Sequence, residues 1–144
     1  MLPDSVKKRD LLGAVHKTPP DFSAYGEEFL REGHLADAAE FFARAKNQEK
    51  LKEILRIALR EGDAGLVGRV GAWAPDLVTA DTWRECALEA LRLEKFSFAR
   101  QAWEKAGDPA KAAEAHERVL RILGYTPMKA ATDETSTSGN TQFA

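Results

Sequence analysis

Lys52, Arg56 and Arg60 recur at intervals of four, a spacing that lines three cations along one side of a helix. Like charges so placed repel each other, and the row therefore needs a counter-charge. Glu49, Glu53 and Glu61 of the same chain are near enough in sequence to supply one, which would leave a solvated face of mixed charge. A carboxylate carried by a partner would serve equally well, because cationic side chains hold carboxylates through charge-assisted hydrogen bonds.

Other reactive residue types lack the company that chemistry requires. His16, His34 and His116 fall in three different elements, and none has a second His or Cys at metal-ligand spacing, so no zinc site is expected. Cys86 sits beside Trp83 on an apolar stripe with no basic neighbour, which describes a buried, inert thiol. Acidic pairs such as Glu27–Glu28 and Glu114/Glu117 read as solvated helix-surface charge. Gly65, Gly68 and Gly71 follow no strand and lack the lysine–hydroxyl ending of a phosphate-binding loop. Each interior glycine costs a helix about 0.5–1 kcal/mol relative to alanine, so residues 64–74 should form the softest helix. No Ser–His–Asp or Cys–His set can be argued from order alone. The expectation is a protein that is not an enzyme and needs neither cofactor nor metal.

The elements that must position the cations are set by a repeated pattern. Phe22, Tyr25 and Phe29 recur at helical spacing, Gly33 supplies a left-handed stop, and Leu35, Ala38, Ala39, Phe42 and Ala45 form a second apolar stripe. A turn this short predicts an antiparallel helical hairpin. The pattern returns with Leu51, Ile54, Leu55 and Ala58, the turn Glu61–Gly62–Asp63, and then Ala64, Val67, Gly71 and Ala74. It returns again with Trp83, Cys86, Ala87 and Ala90, a turn near Leu93–Glu94–Lys95, and then Phe96, Ala99, Trp103 and Ala106. The corresponding small residues Ala38, Val67 and Ala99 are 29 and 32 residues apart, close to the roughly 34-residue period of one type of helical-hairpin repeat.

Phe22, Tyr25–Gly26, Phe29, Gly33, Leu35, Ala38, Phe42 and Ala45 follow the order of aromatic, glycine and alanine positions in the tetratricopeptide repeat, which this segment resembles. The third copy matches well, although Glu94 replaces the turn glycine; the second is shorter, with Gly71 where the motif has an aromatic. The resemblance covers roughly residues 19–107 and implies an all-α, right-handed solenoid of about three hairpins. In that family the concave surface is built from the exposed side of each hairpin's first helix. Carried over, this assigns Ser23, Glu27, Leu30 and Arg31 from the first copy, Lys52, Arg56, Leu59 and Arg60 from the second, and Arg84, Leu88, Leu91 and Arg92 from the third. Such a groove would take an acidic segment or a C-terminal carboxylate of a protein partner, with the leucines as an apolar floor. The alternative is a structural or assembly role, in which the repeats pack on another subunit or on themselves.

Residues 1–17 read as a lead segment, with Asp4 or Ser5 capping a short helix stopped by Gly13, and with Val6, Leu11 and Leu12 able to dock on the first hairpin. Thr18–Pro19–Pro20 is expected to start the first repeat helix and Asn47 to end the second. Asp81 is a possible cap for the third hairpin. Asp108–Pro109 opens a closing helix whose inner face is Ala112, Ala115, Val119, Ile122 and Leu123, so the repeat domain with its cap spans 18–124. Residues 125–144 are rich in Thr and Ser and expected to be disordered. A net charge of −2 offers no global attraction to nucleic acid or membrane, and no apolar run is long enough to span a bilayer. The N-terminus lacks the apolar stretch of a secretion signal, and a lone cysteine suits a reducing cytoplasm.

Overall fold

The computed structural model describes residues 2–13 and 20–125, and every regular element among them is helical. In chain order they are α1 (Ser5–Gly13), α2 (Phe22–Arg31), α3 (Leu35–Arg44), α4 (Gln48–Glu61), α5 (Ala64–Trp73), α6 (Ala80–Arg92), α7 (Phe96–Ala106) and α8 (Pro109–Ile122). A single 3-10 turn, Pro75–Leu77, separates α5 from α6. His16, Thr18, Pro19 and the expected disordered tail beyond Tyr125 lie outside the described residues.

Short polar side chains set the starts. The carboxylates of Asp21, Asp63 and Asp108 accept the backbone N–H groups of Ala24, Leu66 and Lys111 at 3.1, 3.0 and 3.1 Å. The Asn47 side chain does the same for Lys50 at 3.2 Å, and each such cap contributes about 1 kcal/mol. These contacts correct three expectations. Asp21, not Thr18–Pro19–Pro20, starts α2, and Asn47 starts α4 rather than ending α3. Thr79 caps α6 by a reciprocal bond with Thr82, while Asp81 instead pairs with Arg84. Asp4 caps α1 as expected, accepting the Lys7 N–H at 2.8 Å.

The turns inside the three hairpins share one device. Gly33, Gly62 and Glu94 all take the left-handed conformation, at φ 80°, 62° and 58°. The tertiary fold thus imposes on Glu94 the conformation that glycine adopts at no cost.

Each helix from α2 to α8 packs on the next, with α2–α3, α6–α7 and α7–α8 the broadest contacts. Beyond these, α3 packs on α5, α5 on α7, and α4 on α6. The stripes read from the sequence are the core: Leu51, Ile54, Leu55 and Ala58 of α4, and Trp83, Cys86, Ala87 and Ala90 of α6, are all buried. Phe42 lies against Gly26, where an added Cβ would come within 2.6 Å of the ring. Phe41, which the stripe omits, is fully buried and is the hub of an aromatic cluster with Phe22, Tyr25 and Phe29.

Two docking expectations are corrected. Val6 is exposed, and Leu2 joins Leu11 and Leu12 in packing on the core instead. On α8 the buried face is Ala112 and Ala115, whereas Ile122 and Leu123 are 70% and 65% exposed. They line a cleft of about 400 Å³ beside the first turn of α7, with Phe96, Ser97 and Phe98, which leaves them open to solvent.

Helix α5, expected to be the softest, is surrounded by α3, α4, α6, α7 and the 3-10 turn. Val78 approaches within 3.2 Å of where a Cβ on Gly71 would stand, and Trp83 within 3.6 Å of one on Gly68. The glycines therefore serve close approach as well as weakening the helix. We expect α5 amides to exchange as slowly as those of α3, with α1 exchanging first, since it alone of the helices buries no residue. Hydrogen exchange resolved by residue checks this; fast exchange confined to 64–73 would restore the expectation drawn from composition.

Candidate functional site

The buried stripe of α4 turns Arg56, Leu59 and Arg60 outward, and that of α6 does the same for Glu85, Leu88 and Glu89. Because α4 packs on α6, these six residues line one cleft of about 390 Å³. Leu88 stands 59% exposed within it, an apolar group offered to solvent where the surrounding side chains are charged. Arg56 and Arg60 make no ion pair with any described residue.

Charge in the cleft is unequal. Glu89 accepts a hydrogen bond from Arg92 Nε at 2.9 Å, and that bond holds its carboxyl below the usual carboxylate range. Its charge is thus already answered. Two arginines are left against the single unpaired carboxylate of Glu85, so the cleft favours an anionic ligand. Guanidinium groups suit it, since each presents a planar fork that matches both oxygens of a carboxylate.

The remaining residues of the expected groove are placed elsewhere or otherwise engaged. Lys52 pairs with Glu49 at 3.3 Å, as one reading of its charge row required, and does not line the cleft. Arg84 pairs with Asp81, and Arg92 with Glu89. Leu91 lines the adjacent hollow described below. Arg31 donates from Nε to the Glu27 carbonyl at 3.4 Å and faces a separate cleft beside Leu2, Glu28 and Glu32. Ser23 accepts from Asn47 Nδ2 at 3.3 Å, and Leu30 packs against the core. Glu27 is bound by Lys50, whose ammonium lies 2.8 Å from it and 3.1 Å from Glu53. Lys50 thereby ties α4 to α2.

Sequence reasoning missed the acidic wall, Glu85 and Glu89. The signal was available, because both flank Leu88 on the side of α6 opposite the Cys86–Ala87–Ala90 stripe. Leu88 also lines a second hollow of about 370 Å³, where α6 meets α7 and α8. There the Lys111 ammonium sits 4.5 Å above the Trp103 ring and the Arg118 guanidinium 5.7 Å above Phe96. The Trp103 indole N–H is buried with no acceptor among the described residues. The two hollows, joined at Leu88, make one surface running from α4 to α8.

Cys86 is fully buried, and its thiol is pushed up to about 11, first by burial and then by the charges of Asp63 and Glu85. It is not poised as a nucleophile. Among the described residues no group of three or more His, Cys, Asp or Glu could hold a metal ion, and no helix is long and apolar enough to cross a membrane. Compared with known protein families, curated proteins and solved structures, the chain matches none.

Proposed function

We propose that this chain is a non-catalytic protein-interaction module of the tetratricopeptide type that holds an acidic partner peptide in the cleft between α4 and α6. In this reading three hairpins, α2–α3, α4–α5 and α6–α7, stack as a right-handed solenoid, and α8 covers the last of them. The alternating contacts of α3 with α5, α5 with α7 and α4 with α6 support that arrangement. One observation carries the binding role: Arg56 and Arg60, without an ion pair among the described residues, flank an exposed Leu88. Charge-assisted hydrogen bonds contribute about 1.5–3 kcal/mol each. Two or three of them with one apolar anchor give roughly micromolar affinity. The partner's carboxylates, whether side-chain or C-terminal, meet the arginines, and an apolar side chain seats on Leu59 and Leu88. A buried lone thiol suits such a module in the cytoplasm.

The test is a pull-down from the native extract with the wild type and with Arg56→Glu combined with Arg60→Glu. Both positions are exposed, so the helical signal and melting temperature should be nearly unchanged. The double variant should lose the wild-type partners, and wild-type capture should weaken as salt screens the charges.

An assembly role has its own observation: Ile122, Leu123 and Tyr125 are exposed, and the first two line an apolar cleft with Phe96 and Phe98 of α7. Retention of all partners by the double variant, with a molecular size that grows with concentration, would shift the conclusion to that role.

A further inference from the structure

Helix α8 ends on an uncovered apolar surface. Ile122, Leu123 and Tyr125 are exposed, whereas the closing element of a helical stack ordinarily presents a polar outer face. With Val119, the first two line the cleft of about 400 Å³ against Phe96, Ser97 and Phe98, and the turn residues Glu94 and Lys95 complete its lining. The two charges there are not equally engaged. The Lys95 ammonium donates to the Glu61 carbonyl at 2.7 Å, at the negative end of α4. The Glu94 carboxylate makes no ion pair with any described residue. It stands, moreover, on a backbone conformation, φ 58°, that the other two hairpin turns give to glycine. An apolar group followed closely by a cation would complement this cleft.

The chain carries that pair within a few residues. Gly124, at φ 86°, turns the backbone off the helix, and the Tyr125 N–H bonds back to the Leu120 carbonyl at 2.8 Å. The sequence then continues Thr126–Pro127–Met128–Lys129. Three residues span at most about 10 Å, so Met128 is within range of the cleft that Ile122 and Leu123 line. Residues 130–144 contain no Lys, Arg or His, and no large apolar residue before Phe143. We propose that residues 126–129 dock in cis on this cleft, with the Met128 side chain against Phe96, Phe98 and Ile122 and the Lys129 ammonium on Glu94. A thioether packs favourably on aromatic rings. The residue before a proline favours extended backbone, so the short connection has little freedom to lose. Phe143 would close a far longer loop at a greater entropic cost. This site shares no residue with the α4–α6 cleft, so either can fail without the other. The docked segment covers the surface that an assembly role would use, and the two compete for it.

The experiment uses the full chain with isotope-labelled methionine methyl groups. Met1 and Met128 are its two methionines, and Met128→Leu identifies the signal that matters. In the wild type the Met128 methyl should be displaced upfield by the Phe96 and Phe98 rings from its position in a synthetic peptide of residues 124–144. The displacement should be the same at every protein concentration. Lys129→Glu should lower the ratio of docked to free segment roughly fivefold, the upper worth of an exposed ion pair, and Glu94→Lys in that same chain should restore it. Phe143→Ala should change nothing. A wild-type methyl at the peptide position would overturn the proposal, as would a displacement that survives Lys129→Glu undiminished or is lost with Phe143→Ala. A displacement that grows with concentration would overturn it too, because a second copy would then fill the cleft.

Discussion

Replacing Phe41 with alanine should lower the folding free energy by about 3–5 kcal/mol, the usual cost of removing a buried aromatic ring. The ring is fully buried, and its centroid lies 5.3 Å from that of Phe29, 5.5 Å from Tyr25 and 6.3 Å from Phe22. Its loss therefore opens a cavity and leaves three aromatic neighbours without the surface they pack on. Small domains are stable by only about 5–15 kcal/mol, so the variant should unfold in much milder urea than the wild type. Phe22→Ala is the control: that ring is at the edge of the cluster and half-buried, and its truncation should cost clearly less. Equal unfolding midpoints for the two variants would mean that Phe41 is not the hub.

Gly62→Ala should be nearly as damaging, for two independent reasons. Gly62 ends α4 at φ 62°, and a side chain in the left-handed region costs roughly 1–2 kcal/mol. A Cβ there would also stand 2.7 Å from both the Cα and the backbone nitrogen of Ala90. Backbone cannot rotate aside as a side-chain tip can, so α4 and α6 must separate, and overpacking of this kind costs about 1–3 kcal/mol. Together these give about 2–5 kcal/mol. Gly107→Ala isolates the first term, because Gly107 has φ 80° but nothing within 4 Å of an added Cβ. Thermal melts should rank wild type above Gly107→Ala, and that variant well above Gly62→Ala. If the two glycine variants melt together, the α4 turn does not press on α6. Since α4 and α6 form the two walls of the cleft, this contact also sets its width.

Much of the helical organisation was legible because an amphipathic helix must place its apolar residues three and four apart. That requirement alone located the buried stripes of α4 and α6 and both turn glycines of the first two hairpins. Phe41 escaped because a stripe marks one face, whereas α3 is covered by α2 on one side and by α4 and α5 on others. Both members of the Phe41–Phe42 pair are therefore buried. Asn47 was misread because asparagine suits either end of a helix, and the choice depends on which backbone N–H its side chain meets. Thr79 was missed because its reciprocal partner is Thr82 rather than the glutamate or glutamine of a typical capping box.

The cleft was half legible. Arg56, Leu59, Arg60 and Leu88 were all readable as outward residues of first helices, and they do share one surface. Which cations stay unpaired was not readable, because spacing allows several pairings and side-chain geometry selects among them. Lys52 found Glu49, but Glu53 went to Lys50, a residue outside the expected row. Reading the groove as a set of cations also hid Glu85 and Glu89, and with them the fact that only one wall of the cleft is basic. The exposure of Ile122 and Leu123 has a similar origin: periodicity identifies an apolar face, but not whether the element facing it, here the start of α7, closes over it.

The central claim is that the α4–α6 cleft holds an acidic peptide. Its most direct measurement is a titration of the isotope-labelled chain with a short peptide bearing two adjacent carboxylates beside a leucine, read at every backbone amide. The account predicts shifts concentrated at Arg56, Leu59, Arg60, Glu85 and Leu88, saturating at roughly micromolar to tens of micromolar peptide and absent in the Arg56→Glu, Arg60→Glu chain. Shifts centred on another surface, or equal shifts from a peptide with lysines in place of the carboxylates, would contradict it.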